Sequence, residues 1–465
     1  MPTTIRGSRA ARVFLAPAVL VAITAASLAA QASPDSTRPF GTLRAQAERQ
    51  QAWLKQRLDS LLPGLMRKYG VDMWVVPMRE YNEDPVFPAI VSPTTFAARR
   101  RTIYVFFDRG SGKGVERLAL GGTSQGGLYE AVRSTKQVTA AVGGHQAELW
   151  GDQQWQVLKD VIEVRKPKVI GIDISRTFAF ADGLSAGEYE GMRQALGTRW
   201  ISRFRRAEGL PIDLIAARLP DEQRFYHDLA HLTWTVIDSM FSSQVVKPGT
   251  TRTSDLVWYF RQRVNDLGLG TWFQPSVEVQ RHGATEDQLG DDPIIQPGDV
   301  LHCDVGITAL RLNTDIQHMA YVLPKGETEA PRGLVNALSR STRLQDIMME
   351  EVRPGRTGNE ILASARARMT AEGIDGTIYS HPIGLNGHGA GPLIGLWDYQ
   401  EGVQGRGDHK VIDNQWFSIE LQATSRVPEW DGQPVRMAQE EDMVMGPEGV
   451  PRWAYRRQTE LRLIP

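Results

Sequence analysis

The chain of 465 residues contains a single cysteine, Cys303, so it cannot form an intramolecular disulfide bond and must be stabilised by its hydrophobic core. It also lacks an excess of charge, because 53 basic residues balance 54 acidic ones, and no run of like charge is typical of a nucleic-acid-binding arm. After the N-terminal region, no segment is long and apolar enough to cross a bilayer. These absences disfavour nucleic acid and membrane partners and leave a small ligand as the expected one.

Residues 1–32 are predicted to be an export signal. Three arginines precede the apolar run VFLAPAVLVAITAASLAA, and Ala30-Gln31-Ala32 has the small-x-small pattern of a cleavage site. A retained membrane anchor is the alternative, although Pro17 interrupts a run that is near the lower limit of about 17 residues for a span. We therefore expect export to the periplasm or the medium.

The remaining chain has the composition of a folded protein, 41% hydrophobic and 23% charged, and its length predicts about two domains. Over residues 38–212, strand-like stretches such as VDMWVVP and RTIYVFFD alternate with helical ones such as WQVLKDVIEVRK. This alternation is typical of an α/β domain.

Two segments of the C-terminal part, residues 213–465, resemble each other. VVKPGTTRTSDLVWYFRQRVNDLGLG and EVRPGRTGNEILASARARMTAEGIDG each contain a basic residue, a Pro-Gly pair and an amphipathic stretch that ends at a glycine. The pattern indicates an internal duplication with pseudo-twofold symmetry and a site at the seam. A chance similarity of two helix starts is the alternative.

The stretch LHCDVGITALRLNTD places Asp304 and Asp315 on either side of a predicted turn at residues 309–311. In a regular hairpin such residues are near cross-strand neighbours, about 5 Å apart. Two carboxylates at that distance repel unless one holds a proton or a divalent cation binds both. A register shifted by one residue would instead send one Asp to solvent. Cys303 is expected on the opposite strand face as a small buried residue rather than as a nucleophile.

Three later stretches carry further acids and histidines. YSHPIGLNGHG contains His381 and His388 among glycines, WFSIELQ contains Glu420, and MAQEEDMVM contains Glu440. A carboxylate in an apolar strand is costly to bury unless it is paired or binds a metal. Metal binding therefore becomes the favoured interpretation of the whole set.

This ordered set resembles the metallopeptidase superfamily of methionine aminopeptidases, Xaa-Pro aminopeptidases and prolidases, whose catalytic domain has a duplicated pita-bread fold. The resemblance implies an α+β pita-bread catalytic domain at 213–465, with internal pseudo-twofold duplication. Residues 38–212 resemble the α/β N-terminal domain of creatinase, prolidase and Xaa-Pro aminopeptidase. The implied metal ligands are Asp304, Asp315, His381, Glu420 and Glu440.

The resemblance also implies a mechanism. Oxygen ligands with one imidazole suit two divalent ions of Mn, Co, Zn or Fe, which activate a water for attack on a peptide carbonyl. In this family Glu420 would accept the water's proton, while His388 and, further upstream, His282 would orient the substrate. Glu441 or Asp442 replaces Glu440 as the last ligand if the strand contains a bulge.

Departures from the family pattern bear on specificity more than on metal binding. Relatives show Thr-Arg where this chain has Gln317-His318, and Gln317 is expected to hydrogen-bond a ligand carboxylate while His318 lies outside the metal shell. His302 either supports the site or simply packs. Ala438 stands where prolidase-like enzymes have Arg.

The predicted function is that of a metal-dependent exopeptidase of the Xaa-Pro aminopeptidase or prolidase type, which cleaves short peptides before proline. A metal-free creatinase-like amidinohydrolase and a catalytically silent pita-bread domain that binds proteins are the alternatives. The resemblance further suggests a homodimer.

Overall fold

We describe the fold from a computed structural model, which covers residues 38–133, 141–142, 145–146 and 149–465. The predicted export signal, residues 1–32, lies outside the described residues. Of the helices within these ranges, none combines the length and the apolar character that a membrane span requires.

The N-terminal part is a three-layer α/β structure. Its elements are α1 (Leu43–Gln56), a π-helical segment (Arg57–Leu61), α2 (Leu62–Lys68), β1 (Met73–Arg79), α3 (Phe87–Ile90), β2 (Arg101–Asp108), β3 (Val115–Leu120), β4 (Glu130–Val132), β5 (Ala141–Val142), β6 (His145–Gln146), α4 (Asp152–Arg165), β7 (Ile170–Ile172), a 3-10 helix (Ala179–Ala181), α5 (Ala186–Ile201), β8 (Phe204–Arg206) and α6 (Gly209–Ala216). Six strands form one sheet in the order β4-β3-β2-β1-β7-β8. Trp74 and Val76 of β1 pack in one core with α1 and α2, whereas Met73 and Val75 pack with α4 and α5 on the other face.

The C-terminal part is built around a nine-stranded sheet. Its elements are α7 (Pro220–Met240), α8 (Thr253–Asp266), β9 (Ser276–Gln280), α9 (Glu286–Leu289), β10 (Val300–Val305), β11 (Thr308–Ala309), β12 (Leu312–Asn313), β13 (Ile316–Val322), α10 (Arg332–Glu351), α11 (Gly358–Ala371), β14 (Asp375–Ile378), β15 (His381–Ile383), three 3-10 helices (Arg406–Asp408, Pro428–Trp430 and Pro447–Gly449), β16 (Trp416–Val427), β17 (Gln433–Met445), β18 (Pro451–Trp453) and β19 (Arg462–Ile464). The main path of the sheet is β14-β16-β17-β13-β10-β9, with β15, β18 and β19 beside β16, β17 and β13.

The predicted duplication is confirmed by the order of the elements. Two helices, an edge strand and a long hairpin occur first as α7, α8, β9 and the hairpin β10–β13, and again as α10, α11, β14 and the hairpin β16–β17. The two hairpins meet where Gln317 of β13 pairs with Glu440 of β17. The seam between the halves therefore runs through the centre of the sheet.

The tip of the first hairpin contacts the N-terminal part. Leu310 and Arg311 form a two-residue turn with φ angles of 50° and 64°, between the pairs Ala309–Leu312 and Thr308–Asn313. Left-handed backbone is unfavourable for such residues. The Arg311 guanidinium group offsets that cost by donating hydrogen bonds to the carbonyl oxygens of Pro88 and Val91, each 3.0 Å long. The N-terminal part thus fixes one end of the hairpin.

A buried carboxylate joins the two parts at a second place. Asp213 in α6 accepts hydrogen bonds from Lys68 (2.7 Å) and Tyr69 (2.6 Å), and its other oxygen lies 3.0 Å from Nε2 of His409. The predicted division at residues 212 and 213 falls inside α6, whose apolar side chains pack in the N-terminal core. That division stays a prediction.

Candidate metal centre

Five strands of the sheet bring the predicted ligands onto one of its faces. Asp304 comes from β10, Asp315 directly precedes β13, His381 begins β15, and Glu420 and Glu440 face each other across β16 and β17. They form two three-residue clusters that could each hold a metal ion, one of His381, Glu420 and Glu440 and one of Asp304, Asp315 and Glu440, and His388 forms a third such group with Asp315 and His381. Glu440 belongs to the first two of these clusters, so its carboxylate lies within reach of either group.

Three buried atoms of the clusters have no hydrogen-bond partner within the described ranges. They are Oδ1 of Asp304, Oδ1 of Asp315 and Nε2 of His381. An unpaired buried polar atom is unfavourable, and these three belong to overlapping groups whose ligand atoms lie within 4.8 Å of one another, which fits a bound cation. Carboxylate oxygens with one imidazole nitrogen are a suitable donor set for a divalent transition metal.

The orientation of His381 supports this interpretation. Its Nδ1 lies 3.0 Å from the carbonyl oxygen of Pro382, which can only accept, so Nδ1 carries a hydrogen. Its Nε2 then points at the acids, 3.3 Å from Glu440, 3.5 Å from Asp315 and 3.6 Å from Glu420. In most metal-binding histidines, one ring nitrogen binds the metal and the other donates a hydrogen bond to an oxygen of the protein, as Nδ1 does here.

The electrostatics of the cluster favour a cation. Burial, followed by the charge of Glu440, raises the pKa of Asp304, Asp315 and Glu420 well above the usual carboxyl range. Burial acts against the charged form of His381, but Glu440 and Glu420 raise its pKa above the ordinary value. In the absence of metal the site therefore retains protons that a divalent ion would displace.

The register of the first hairpin corrects one expectation. Asp304 pairs with Gln317, not with Asp315, because the two-residue turn is centred between Leu310 and Arg311. The same register places Asp315 opposite Gly306, so the two aspartates are diagonal neighbours on one face. Their carboxylates still reach the same cluster.

The structure separates the three consecutive acids of β17. The β16–β17 pairing is continuous, so the strand has no bulge at this point. Glu441 points to the opposite face, where Trp234 and His318 contact its carboxylate. The Asp442 carboxylate accepts a hydrogen bond from the backbone N–H of Asp315. Glu440 is the acid of the three that lies in the clusters, and His318 lies outside them as expected.

Gln317 and His302 support the carboxylates. Nε2 of Gln317 donates to both Glu420 and Glu440, with both distances 2.7 Å, which confirms the expected contact. Nε2 of His302 lies 2.8 Å from Oε1 of Gln317. The hydrogen bond of His302 with Glu278 lowers the pKa of Glu278 to about 2. His302 is therefore part of the polar network rather than a packing residue.

His388 lies beside the cluster among aromatic rings. Its ring centroid is 4.7 Å from that of His381, 5.2 Å from Trp272 and 5.9 Å from Tyr379. Partial burial and the neighbouring His381 lower the pKa of His388 to about 4, so the ring is neutral near pH 7. Trp272 was not predicted, and the adjacent pair Trp272-Phe273 in a loop is the sequence signal that could have drawn attention to it.

Arg406 is a second unpredicted residue next to the cluster. Its Nη2 donates to the carbonyl oxygen of Gly389 at 3.3 Å, and the ion pairs found among the described residues do not include it. Burial lowers the pKa of Arg406. A partly buried guanidinium group without a carboxylate partner is a suitable site for an anionic group of a ligand. A lone Arg in a glycine-rich loop carries no sequence signal that distinguishes this role.

His282 does not reach the site, contrary to the prediction. Ser276 of β9 pairs with Asp304, and His282 lies six residues further along the chain. This separation corresponds to roughly 20 Å along an extended strand. His282 instead stacks on Trp430 and lies 3.1 Å from Asp431, with its side chain 46% exposed.

We therefore expect the substitution His282→Ala to change kcat/KM by no more than about twofold, the range usual for a surface residue. Steady-state kinetics on a peptide substrate checks this. A loss of tenfold or more, with unchanged thermal stability, would return His282 to the substrate-binding residues.

Cys303 lies on the sheet face opposite Asp304, as expected. It is fully buried in the hydrophobic core formed with α7 and α8, and burial raises the pKa of its thiol. A buried, protonated thiol has little nucleophilic character.

Comparison with known proteins agrees with this geometry. Residues 226–446 match the sequence profile of Metallopeptidase family M24. X-Pro aminopeptidase from Thermotoga maritima has a similar structure, with 16% identity, a TM-score of 0.60, and coverage of 86% of this chain and 99% of that chain. For Xaa-Pro dipeptidase from Bacillus anthracis the values are 15% identity, a TM-score of 0.57, and coverage of 90% and 99%.

The N-terminal domain of FACT complex subunit SPT16 from Cicer arietinum is also similar, with 12% identity, a TM-score of 0.56, and coverage of 89% and 99%. A search of curated protein sequences gives no match. At these identities the structural similarities show the fold alone. The profile match and the shared fold confirm the predicted resemblance to this superfamily and the two-part fold class.

Proposed function

We propose that the protein is a metal-dependent exopeptidase that hydrolyses the peptide bond before proline in short peptides. The observation that carries this proposal is the pair of clusters that share Glu440, with three buried ligand atoms that have no hydrogen-bond partner in the part of the chain that the structure describes. Asp304, Asp315, His381, Glu420 and Glu440 are the proposed ligands of two divalent ions. Mn, Co, Zn and Fe all suit this donor set.

The protein's own side chains have distinct proposed tasks. Divalent ions in the two clusters would polarise the scissile carbonyl and lower the pKa of a water towards neutrality. The Glu420 carboxylate, held by Gln317 on one oxygen, keeps its other oxygen free to accept a proton from that water. The neutral His388 is available to hydrogen-bond the substrate carbonyl as charge develops on its oxygen.

Arg406 supports a substrate with a free carboxylate near the reacting bond. Its charge acts on Tyr379 and His388, whose rings lie 5.3 and 4.7 Å from that of His381. In an Xaa-Pro dipeptide the carboxylate of proline is separated from the scissile carbonyl by only a few bonds. We therefore place the C-terminal end of the substrate at Arg406, which favours dipeptides over longer peptides.

The substitution Arg406→Met is expected to lower kcat/KM for an Xaa-Pro dipeptide about 10- to 100-fold, the value of one charge-assisted hydrogen bond. The loss should appear mainly in KM. An Xaa-Pro tripeptide, whose carboxylate lies further away, should lose less than about threefold. Arg426→Met is the matched control, because Arg426 is exposed on β16. Equal losses for both peptides would contradict the assignment of Arg406.

Two alternatives differ from the main proposal in metal dependence. A creatinase-like amidinohydrolase and a silent protein-binding domain both function without metal, and the similarity to an SPT16 domain shows that this fold is found outside peptidases. The presence of all four acids and the one histidine of the proposed ligand set, close together in two clusters, favours the peptidase. Divalent metal content of the purified protein distinguishes these possibilities.

The principal test uses mature protein stripped of metal with a chelator. Hydrolysis of an Xaa-Pro dipeptide and an Xaa-Pro tripeptide is measured before and after addition of Mn²⁺ or Co²⁺. Cleavage that depends on added metal supports the proposal, and the ratio of the two rates identifies a dipeptidase or an aminopeptidase. Metal binding without cleavage of either peptide would exclude proline-directed hydrolysis.

Export and dimer formation remain part of the proposal. N-terminal sequencing of the natural protein should give residue 33 as its first residue if the predicted signal is removed.

Light scattering of the mature protein should give twice the mass of one chain if it is a homodimer.

A further inference from the structure

A chain of hydrogen bonds connects the shared carboxylates to the protein surface. Gln317 contacts Glu420 and Glu440, His302 contacts Gln317, and Nδ1 of His302 lies 3.3 Å from Glu278. Gln317 and His302 are 3% and 6% exposed, whereas half of the Glu278 side chain is exposed. The buried members of the chain lie on the same sheet face as the metal clusters.

The amide of Gln317 can take only one orientation in this chain. Its NH₂ group is the only part that can donate, and the two oxygens it contacts belong to Glu420 and Glu440. Its oxygen therefore accepts from His302. Reversal of the amide would place an oxygen between two carboxylates and leave the hydrogen on His302 Nε2 without an acceptor. With its Nε2 as the donor, His302 therefore favours the orientation in which the NH₂ group of Gln317 faces the acids.

Strand order explains why one side chain can hold both acids. β13 lies between β10 and β17, and Gln317 pairs with Asp304 on one side and with Glu440 on the other. Glu420 pairs with Glu440 from the next strand. The two glutamates would otherwise repel each other, and Ser418 restrains only Glu440, through a 2.6 Å hydrogen bond to its other oxygen. Among the described side chains, Gln317 is the one that donates a hydrogen bond to both glutamates.

We propose that Gln317, oriented by His302, is a positioning residue of the metal centre that holds Glu420 and Glu440 at a fixed separation before metal binds. The inference rests on the proposed metal binding and extends it to two residues outside the ligand set. A preformed pair of carboxylates binds a cation more tightly than a pair that must first be ordered, because less conformational freedom is lost on binding. Glu440 belongs to both clusters, so its position affects both ions.

The test measures metal affinity directly. The substitutions are Gln317→Met, which keeps the length of the side chain without its hydrogen bonds, and His302→Leu, which removes the contact with Gln317 and the contact with Glu278 but leaves Gln317 in place. Gln422→Met is the control, because Gln422 lies on the same strand as Glu420 and hydrogen-bonds Arg436 rather than a proposed ligand. Mn²⁺ binding to each chelated protein is followed by calorimetry, and the visible absorption of the Co²⁺ form reports ligand geometry.

Gln317→Met is expected to weaken Mn²⁺ binding about 10- to 100-fold and to change the Co²⁺ spectrum, as is usual when a partner of a metal ligand is removed. His302→Leu should weaken it less, and the double variant should be no weaker than Gln317→Met alone, because both act through one contact. Gln422→Met should bind within about twofold of the wild-type affinity.

Wild-type affinity and an unchanged Co²⁺ spectrum in Gln317→Met would overturn the inference. If that variant does not fold, His302→Leu decides, and wild-type affinity in it has the same meaning. A wild-type protein that binds no divalent metal overturns both this inference and the proposed function. A wild-type protein that binds metal, depends on Gln317 for affinity and cleaves no Xaa-Pro peptide would retain this inference and exclude the peptidase activity.

Discussion

The substitution Asp315→Asn is expected to lower kcat/KM for an Xaa-Pro dipeptide about 1,000-fold, because loss of a proposed ligand carboxylate removes metal-assisted activation of the water and carbonyl, worth several kcal/mol. Asp315 contributes to the cluster with Asp304 and Glu440, and it also lies 3.5 Å from His381. Its loss should therefore affect both ions. Peptide hydrolysis at saturating Mn²⁺ measures the effect.

The same variant has an opposite effect on the metal-free protein. Burial, then the charges of Glu440 and Asp304, raises the pKa of Asp315 well above its ordinary value, so its ionised form is destabilising. A neutral Asn at this position should raise the Tm of the chelated protein while reducing the Tm increase that metal produces. Asp375→Asn, an exposed position on β14, is the control and should change neither quantity. Full activity in Asp315→Asn would refute the ligand assignment.

Removal of metal is expected to make stability strongly dependent on pH. Asp304, Asp315 and Glu420 have folded-state pKa values raised by burial and by Glu440, so their contribution to stability is complete below the ordinary carboxyl pKa and is lost as pH rises through the raised values. The Tm of the chelated protein should accordingly fall between pH 5 and pH 8.

Added metal should reverse that loss, because the ions take the place of the protons. At a free metal concentration about 1,000 times Kd, binding stabilises the folded state by about 4 kcal/mol, which corresponds to a Tm increase of roughly 10 °C. The increase should be larger at pH 8 than at pH 5, where protons compete for the carboxylates. Differential scanning calorimetry with and without Mn²⁺ checks both points. A Tm that is independent of pH over this range and of metal would show that the cluster is not a metal site.

Much of the fold could be predicted from local patterns. The strand VDMWVVP became β1, the helix WQVLKDVIEVRK became α4, and the two similar Pro-Gly segments became α8 and α11 in the two halves of the duplication. These predictions succeed because the period of apolar residues and the chemistry of turns act over a few neighbouring residues. The ordered acids and histidines were recognisable for the same reason, since they lie in or close to strands whose local patterns are clear.

The register of the strands and the contacts between residues distant in the chain could not be predicted from local patterns. A two-residue turn at Leu310 and Arg311 shifted the hairpin so that Asp304 faces Gln317, and the hydrogen bonds of Arg311 to the N-terminal part support that turn. His282 precedes Asp304 in the chain, as the family pattern requires. However, β9 pairs with β10 near Asp304 through Ser276, and His282 lies six residues beyond that point, away from the site. Arg406 is close to the cluster only because its loop folds back on Gly389.

The sequence alone determined the kinds of residues available for a metal centre, their order and their strand faces, because these depend on side-chain chemistry and on the two-residue period of a strand. Only the tertiary structure decided which of them meet. The separation of Glu441 and Asp442 from Glu440, the bridge from Gln317 to two glutamates, and the place of Arg406 all depend on how strands distant in the chain are paired. Such pairing is the result of packing over the whole domain, which no short segment encodes.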